Sequence, residues 1–475
     1  MPPSPDRTPE GTRLRRELTL VSAAALVVSN MIGTGIFTTT GFLAGDLGHP
    51  SLVLAVWLVG ALVAVAGCLA YAEMGVNFPR SGGEYVYVRE AWGPAWGFLS
   101  GWISFFAGFA APVAAGALAF SEYLGHFFPS LSTGAQAGRI AFGWLHLGNG
   151  QFVALGVIAV FTVVNVLGLR LAARLQNLLT GLKLSILGIF LALAFTVGHG
   201  HWSNFTLAAT RTSPHSVSAQ FAVSLIFVMF AYSGWNAATY VAEEMKAPER
   251  TLPAALLFGT GLVAFFYLAL NLAFLYALPL ESLKGVVRVG AAAASALFGT
   301  AVGGLVSGIM AAAVLSCVSA MVIVGPRVYY AMAQDGCFFR GAARVHPRWQ
   351  TPAQAVLYQA VASAVMVLTG TFERLIYYIG FALILFAALA TAGIFRMRRR
   401  PNWKRLPAVS WCYPLIPTIF VAASLWMLTY TLYFRPTESL LGLLTMACGL
   451  LVYLLMFRKE GRDKGTSFIN PECRE

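Results

Sequence analysis

Long stretches without a charged residue, such as residues 257–279, recur along almost the whole sequence. About 20 such residues in a helix match the hydrocarbon thickness of a bilayer. In water they would need a polar covering that the chain does not have. Only 11% of its 475 residues are charged and 58% are hydrophobic, which excludes a soluble globular protein of this size. Outer-membrane barrels are excluded too, because their spans are short strands of alternating polarity. The expected fold class is all-α integral membrane.

Twelve transmembrane helices are expected, at about 20–44, 51–76, 97–124, 152–168, 175–197, 219–242, 253–279, 296–333, 353–370, 375–395, 411–433 and 438–457. If the first tail is cytoplasmic, 25 of the 32 Lys and Arg residues fall in inner segments and six in outer ones, with Lys183 inside a span. This is the positive-inside pattern of a multi-pass protein with both termini cytoplasmic. The net charge of +13 is therefore topological. No nucleic-acid partner is expected, since that would need the basic residues gathered on one soluble face. The first apolar run is too long for a signal-peptide core and is expected to remain as a span.

Cys68, Cys317 and Cys448 fall within spans, and Cys337, Cys412 and Cys473 at or beyond the inner side. No structural disulfide, metal site or cofactor is expected. Six of the seven histidines map to outer segments or their borders, where solvated loops account for them.

Two spans carry glycine interruptions at mid-depth, and such a break survives in a membrane only where it is buried or lines a cavity. The first span contains NMIGTGIF (30–37) and the sixth FAYSGWNAATY (230–240). They open two five-helix halves, expected at 20–197 and 219–395, with helices 11 and 12 at 411–457 and cytoplasmic tails at 1–19 and 458–475. An odd number of helices per half inverts the second half, and paired interruptions in inverted repeats point to a transporter site. The freed amides of Thr34, Gly35 and Ile36 suit a carboxylate at a half-helix N-terminus. The freed carbonyls of Met31, Phe230, Ala231 and Ser233 suit an α-ammonium group. The expected substrate-binding set is thus Met31, Ile32, Gly33, Thr34, Gly35, Ile36, Phe230, Ala231, Ser233 and Asn236.

These segments, together with FPRSGGEYVYVREAWG (78–93), RLQNLLTGLKL (174–184) and LSCVSAMVIVGPRVYYAMAQDG (315–336), resemble the amino acid, polyamine and organocation transporter superfamily. Within it the chain resembles the L-type amino acid transporters and their bacterial relatives. The resemblance implies a LeuT-like fold, a 5+5 inverted repeat plus two C-terminal helices. It implies that Lys183 stands where sodium-coupled relatives hold sodium, bonding to carbonyls near Gly33 and to Ser316 or Ser319. Phe230 resembles the family's aromatic gate, while Ser233 and Asn236 leave the pocket uncharged. Tyr378 and Cys317 are further candidate lining residues. The family's heteromeric members use a cysteine after the third helix, and residues 125–150 contain none. No disulfide-linked heavy subunit is expected.

The resulting expectation is a sodium-independent secondary transporter of neutral L-amino acids in the cell membrane, working as an exchanger by alternating access. Proton-coupled symport and transport of cationic amino acids or polyamines stand as alternatives. Residue counting puts Glu73, Glu84 and Glu90 near the inner surface, which gives no support to a carboxylate proton relay and leaves Lys183 as the candidate proton carrier. Glu243 and Glu244, with the loop of Pro79, Gly82 and Gly83, are expected at the inner surface near Arg80, Arg89 or Arg327. An enzyme is not expected, for no Ser/His, paired-carboxylate or His-rich set lies at membrane depth.

Overall fold

The computed structural model describes residues 14–132, 140–142, 145–286, 288–299, 302–369, 372–434 and 436–457. Cys473 and the side chain of Tyr378 lie outside the described residues. Helices dominate, as they must where no water is present to bond the backbone.

The first apolar segment forms two helices, α1 (Leu20–Met31) and α2 (Gly35–Leu47). Thr19 caps α1 by accepting the Ser22 amide. Then come α3 (Pro50–Asn77) and the short α4 (Glu84–Trp92). α5 (Pro94–Ile103) and α6 (Ala111–Leu124) are joined by seven residues of π-helix, Ser104–Ala110. Pro112 has no amide proton with which to continue a regular ladder there. α7 (Asn149–Val166) and α8 (Leu169–Thr196) complete the first half.

The second half contains α9 (Val217–Tyr232), α10 (Ala237–Tyr240), α11 (Pro248–Ala277), α12 (Leu280–Leu283) and α13 (Val289–Phe298). It continues with α14 (Gly303–Val324), α15 (Pro326–Gln334), α16 (Ala353–Thr369) and α17 (Phe372–Met397). α18 (Pro407–Ser410), α19 (Leu415–Phe434) and α20 (Pro436–Val452) follow. One short antiparallel ribbon, Ile140–Phe142 against Leu145–Leu147, departs from the all-helical expectation.

Among the described residues, nine helical spans are long and apolar enough to cross a membrane, and four shorter apolar helices accompany them. The chain is a multi-pass membrane protein. The sixth span, expected at 219–242 with a glycine interruption, breaks after Tyr232. One expected boundary needs correction, for the span expected at 296–333 begins too early. Val289–Phe298 is a separate helix, and the long helix starts at Gly303.

Burial separates central from peripheral helices. Every residue of α1 from Ser22 to Met31 is buried, with α11, α14 and α8 packed around it. α8 instead buries a single stripe, Ala172, Gln176, Thr180, Lys183, Leu187 and Leu191, and exposes Leu171, Leu178, Leu182 and Ile189. A stripe at three- and four-residue spacing is what one core-facing side of a helix gives; the exposed leucines face lipid.

Buried ion pairs clamp the end of the bundle that carries α4, α10 and α15. Arg327 holds Glu244 bidentately, both bonds at 2.9 Å, with both side chains at most 1% exposed. Arg398 holds Glu73 through two bonds of 2.6 Å, and Glu73 also accepts from Trp403 and the Leu406 amide. Asp335 gathers Arg80, Arg89 and the Tyr85 hydroxyl. Of the partners expected for the Glu243–Glu244 segment, Arg327 pairs with Glu244, while Arg80 and Arg89 go to Asp335; Glu243 accepts the Ser81 amide.

Removing one partner of a buried pair strands the other charge, at a cost of about 3–5 kcal/mol. Glu244→Gln is expected to lower the melting temperature of the detergent-purified protein markedly. Lys404→Gln, which breaks a pair with both side chains 60% exposed, should change the melting temperature little. Equal effects of the two substitutions would contradict this account of the clamp.

Candidate functional site

The two interruptions differ in local geometry. After α1 the chain turns through Ile32, Gly33 and Thr34, with the Gly33 amide bonded back to the Met31 carbonyl at 2.9 Å. α2 then begins without a side-chain cap. Phe37 is the first residue of α2 to bond back, to the Thr34 carbonyl, so the amides of Thr34, Gly35 and Ile36 are the unpaired first-turn donors of that helix. After α9, Gly234 adopts φ 94°, a conformation that an L-residue enters only at a cost.

The breaks interlock. A Cβ on Gly35 would lie 2.8 Å from the Ala231 Cβ, and one on Gly234 would lie 2.6 Å from the Asn30 Cβ. Each interrupted helix therefore presses a glycine against the other's backbone.

Loose carbonyls find partners from neighbouring helices. The Tyr267 hydroxyl of α11 spans the two breaks, 2.6 Å from the Met31 carbonyl and 2.9 Å from that of Ala231. Lys183 of α8, 2% exposed, donates to the Ile32 carbonyl at 2.7 Å and reaches the Ser29 carbonyl at 3.5 Å. No hydrogen bond joins Lys183 to Ser316 or Ser319 among the described residues. Ser316 instead belongs to an adjoining hydroxyl network, bonding Ser29 at 2.8 Å, while Ser29 bonds Thr180 at 2.6 Å. Ser319 is buried.

A cavity of about 160 Å³ lies between the breaks. Met31, Gly33, Thr34, Gly35, Phe230, Ala231, Ser233 and Asn236 line it, as does Cys317. Ile32 and Ile36 are buried outside it, and Ile32 contributes through its carbonyl. The π-helical stretch also reaches the cavity, with Ser104, Gly108 and Phe109 in the wall; such wide turns are often found at functional sites.

Two features of the wall were not foreseen. Phe420, Ser424 and Met427 of α19 help to close it, although helices 11 and 12 carried no sequence signal for a site. Glu84, expected near the inner surface, lines the cavity as well. It is buried and accepts the Tyr71 hydroxyl at 2.7 Å. Tyr87 and Tyr240 stand nearby, and no cation lies within ion-pair distance of it among the described residues. Burial pushes its carboxyl up to about 7, against the opposing effect of the Tyr71 hydrogen bond.

The sequence matches the family model described as amino acid permease over residues 18–456. It is 30% identical to the large neutral amino acids transporter small subunit 2 of Mus musculus, an alignment covering 95% of this chain and 85% of the relative. It is also 30% identical to the serine/threonine exchanger SteT of Bacillus subtilis, covering 95% of this chain and 99% of that protein. The Asc-type amino acid transporter 1 of Mus musculus is 30% identical over 94% of this chain and 82% of its own length.

The interlock predicts a graded response to added methyl groups. Gly35→Ala is expected to lower the melting temperature by several degrees, since Ala231 and its backbone would have to move. Gly181→Ala, whose Cβ would meet nothing within 4 Å, should leave the melting temperature unchanged or raise it slightly.

Proposed function

The chain belongs to the amino acid permease family, and on that premise we propose that it carries neutral L-amino acids across the cell membrane as a sodium-independent exchanger. It is a transporter and not an enzyme. The observation that carries the substrate reading is the meeting of two interrupted helices at one cavity, with Thr34 and Gly35, at the open first turn of α2, on one side. In this reading those amides take the carboxylate, and the carbonyls of Met31, Phe230, Ala231 and Ser233 take the ammonium. The substrate side chain is left to Phe230, Ser233, Asn236 and the walls. The names of the relatives, two of which specify neutral amino acids, support the same substrate class.

The finer arrangement belongs to the same reading. Twelve spans form a 5+5 inverted repeat over 20–197 and 219–395, with two further helices, and both termini are cytoplasmic. That orientation is supported by the bias of basic residues. The buried ion pairs of Arg327 and Arg398 and the partly exposed cluster at Asp335 then close the cytoplasmic side. The transporter works without a disulfide-linked heavy subunit. Lys183 fills a sodium ion's place, its ammonium holding the Ile32 carbonyl that the break leaves free. Ser316 steadies the same stretch of α1 through Ser29, and Ser319 sits on the same helix.

A second reading, proton-coupled symport, is favoured by Glu84, a buried acid at the cavity without a counter-charge. Raising a carboxyl from its ordinary 4.5 to about 7 means that the folded protein holds a proton the unfolded chain has lost. That stabilisation is complete below about 4.5 and is lost as pH rises toward and through about 7.

Uptake of labelled alanine, serine, leucine and phenylalanine into sodium-free proteoliposomes separates the two readings. Stimulation by internal unlabelled amino acid is the expected result; uptake into empty vesicles that requires an inward proton gradient would overturn exchange in favour of symport. Lys183→Ala should give folded protein with most uptake lost, and normal uptake would sink its assigned role. Glu84→Gln should flatten the fall in melting temperature between pH 5 and 7.5; an unchanged profile would show that Glu84 does not hold that proton.

A further inference from the structure

Away from the cavity, three chain segments enclose a second concavity of about 560 Å³. The segment before α1 supplies Arg15, Arg16 and Glu17, the first turns of α8 supply Arg170 and Arg174, and Lys246 comes from the segment between α10 and α11. Five cations thus face one carboxylate, and Glu17 is taken by Arg170 at 3.1 Å. Arg15, Arg16, Arg174 and Lys246 form no ion pair among the described residues.

The cleft is held in shape and is not a set of loose tails. Leu18 and Met245 form a parallel bridge, with the Leu18 amide bonded to the Glu244 carbonyl and the Lys246 amide to the Leu18 carbonyl. Leu14, buried, anchors the start of the segment.

The surroundings are apolar and outward-facing. Arg170, Arg174 and Asn177 follow one face of α8, and on the adjacent face Leu171, Leu178 and Leu182 are 48%, 67% and 48% exposed. Leu20 and Val21 at the start of α1 are exposed as well. A concave cationic site bordered by exposed apolar side chains on both of its helices suits a ligand that is anionic at one end and apolar at the other.

We propose that this cleft binds the phosphodiester headgroup of an anionic phospholipid, the guanidinium groups taking its oxygens and the acyl chains lying along α8 and the start of α1. Guanidinium forks match phosphate geometry, and basic pockets between membrane helices suit such headgroups. The segment Leu14–Thr19 runs directly into α1, so the bound lipid ties the first interrupted helix to α8. This last step rests on the transport reading given above and adds to it that α1 changes position during the cycle.

The test uses the full chain in detergent with added dioleoyl-phosphatidylglycerol, dioleoyl-phosphatidylcholine or inorganic phosphate, read by thermal shift and native mass spectrometry. Phosphatidylglycerol should raise the melting temperature and remain bound to the wild type, while phosphatidylcholine and inorganic phosphate should do neither. Arg15→Gln combined with Arg174→Gln should weaken retention about 30-fold, from roughly fivefold per basic side chain at a membrane surface. Arg344→Gln combined with Arg348→Gln removes the same charge elsewhere and should change retention little. Equal loss in both double variants would reduce the effect to net charge and overturn the site. Equal protection by inorganic phosphate would replace the lipid with a free anion. In proteoliposomes the wild type should exchange several-fold faster with phosphatidylglycerol present, and the cleft variant should not respond. Lost lipid retention with an undiminished lipid response would overturn the link to α1 alone; absence of uptake for every amino acid would count against the transport reading while leaving the binding result to stand.

Discussion

A helix broken inside a membrane has backbone groups that no water can reach, and something else must hold them. In this protein side chains from outside the breaks do so. The Tyr267 hydroxyl lies against one carbonyl from each break, and the Lys183 ammonium takes the carbonyl of Ile32. The glycines then set how near the two breaks come, and the surrounding helices form walls around the space that remains.

The charges follow the same logic of compensation. At the end of the bundle bearing α4 and α15, acids and guanidinium groups are buried as matched pairs, in which each charge offsets part of the other's desolvation as long as both partners stay. Glu84, which opens α4 at the same end, has the Tyr71 hydroxyl as its partner and no arginine beside it among the described residues. Its environment favours the protonated form, while Glu73 and Glu244, equally buried, are held by arginine. Carboxylates of one chemical type are thus given different tasks by what stands beside them.

Much of this could be read from residue order. A glycine pair inside an apolar run and a lone lysine inside a span are anomalies against a uniform background, so the breaks and Lys183 were legible. Glu84 was not, because its distance along the chain from the end of α3 suggests the surface; the loop before it folds back, with Gly82 bonded to the Tyr240 carbonyl, and tucks α4 beneath the cavity. Phe420, Ser424 and Met427 gave no signal because a helix that faces lipid on one side and a cavity on the other is apolar on both. The boundary near residue 299 was missed because continuous hydropathy does not distinguish one long helix from two short ones.

The main-chain lining of the cavity has a consequence for how such a protein can change. A point mutation replaces side chains and leaves amides and carbonyls where they are, so the groups that would grip the shared head of every amino acid lie largely beyond the reach of single substitutions. The walls are ordinary side chains drawn from α6, α9, α14, α17 and α19, and each can vary alone. On the proposed reading, one architecture can therefore drift among substrates of different size while the part of the molecule that would recognise an amino acid as such stays fixed.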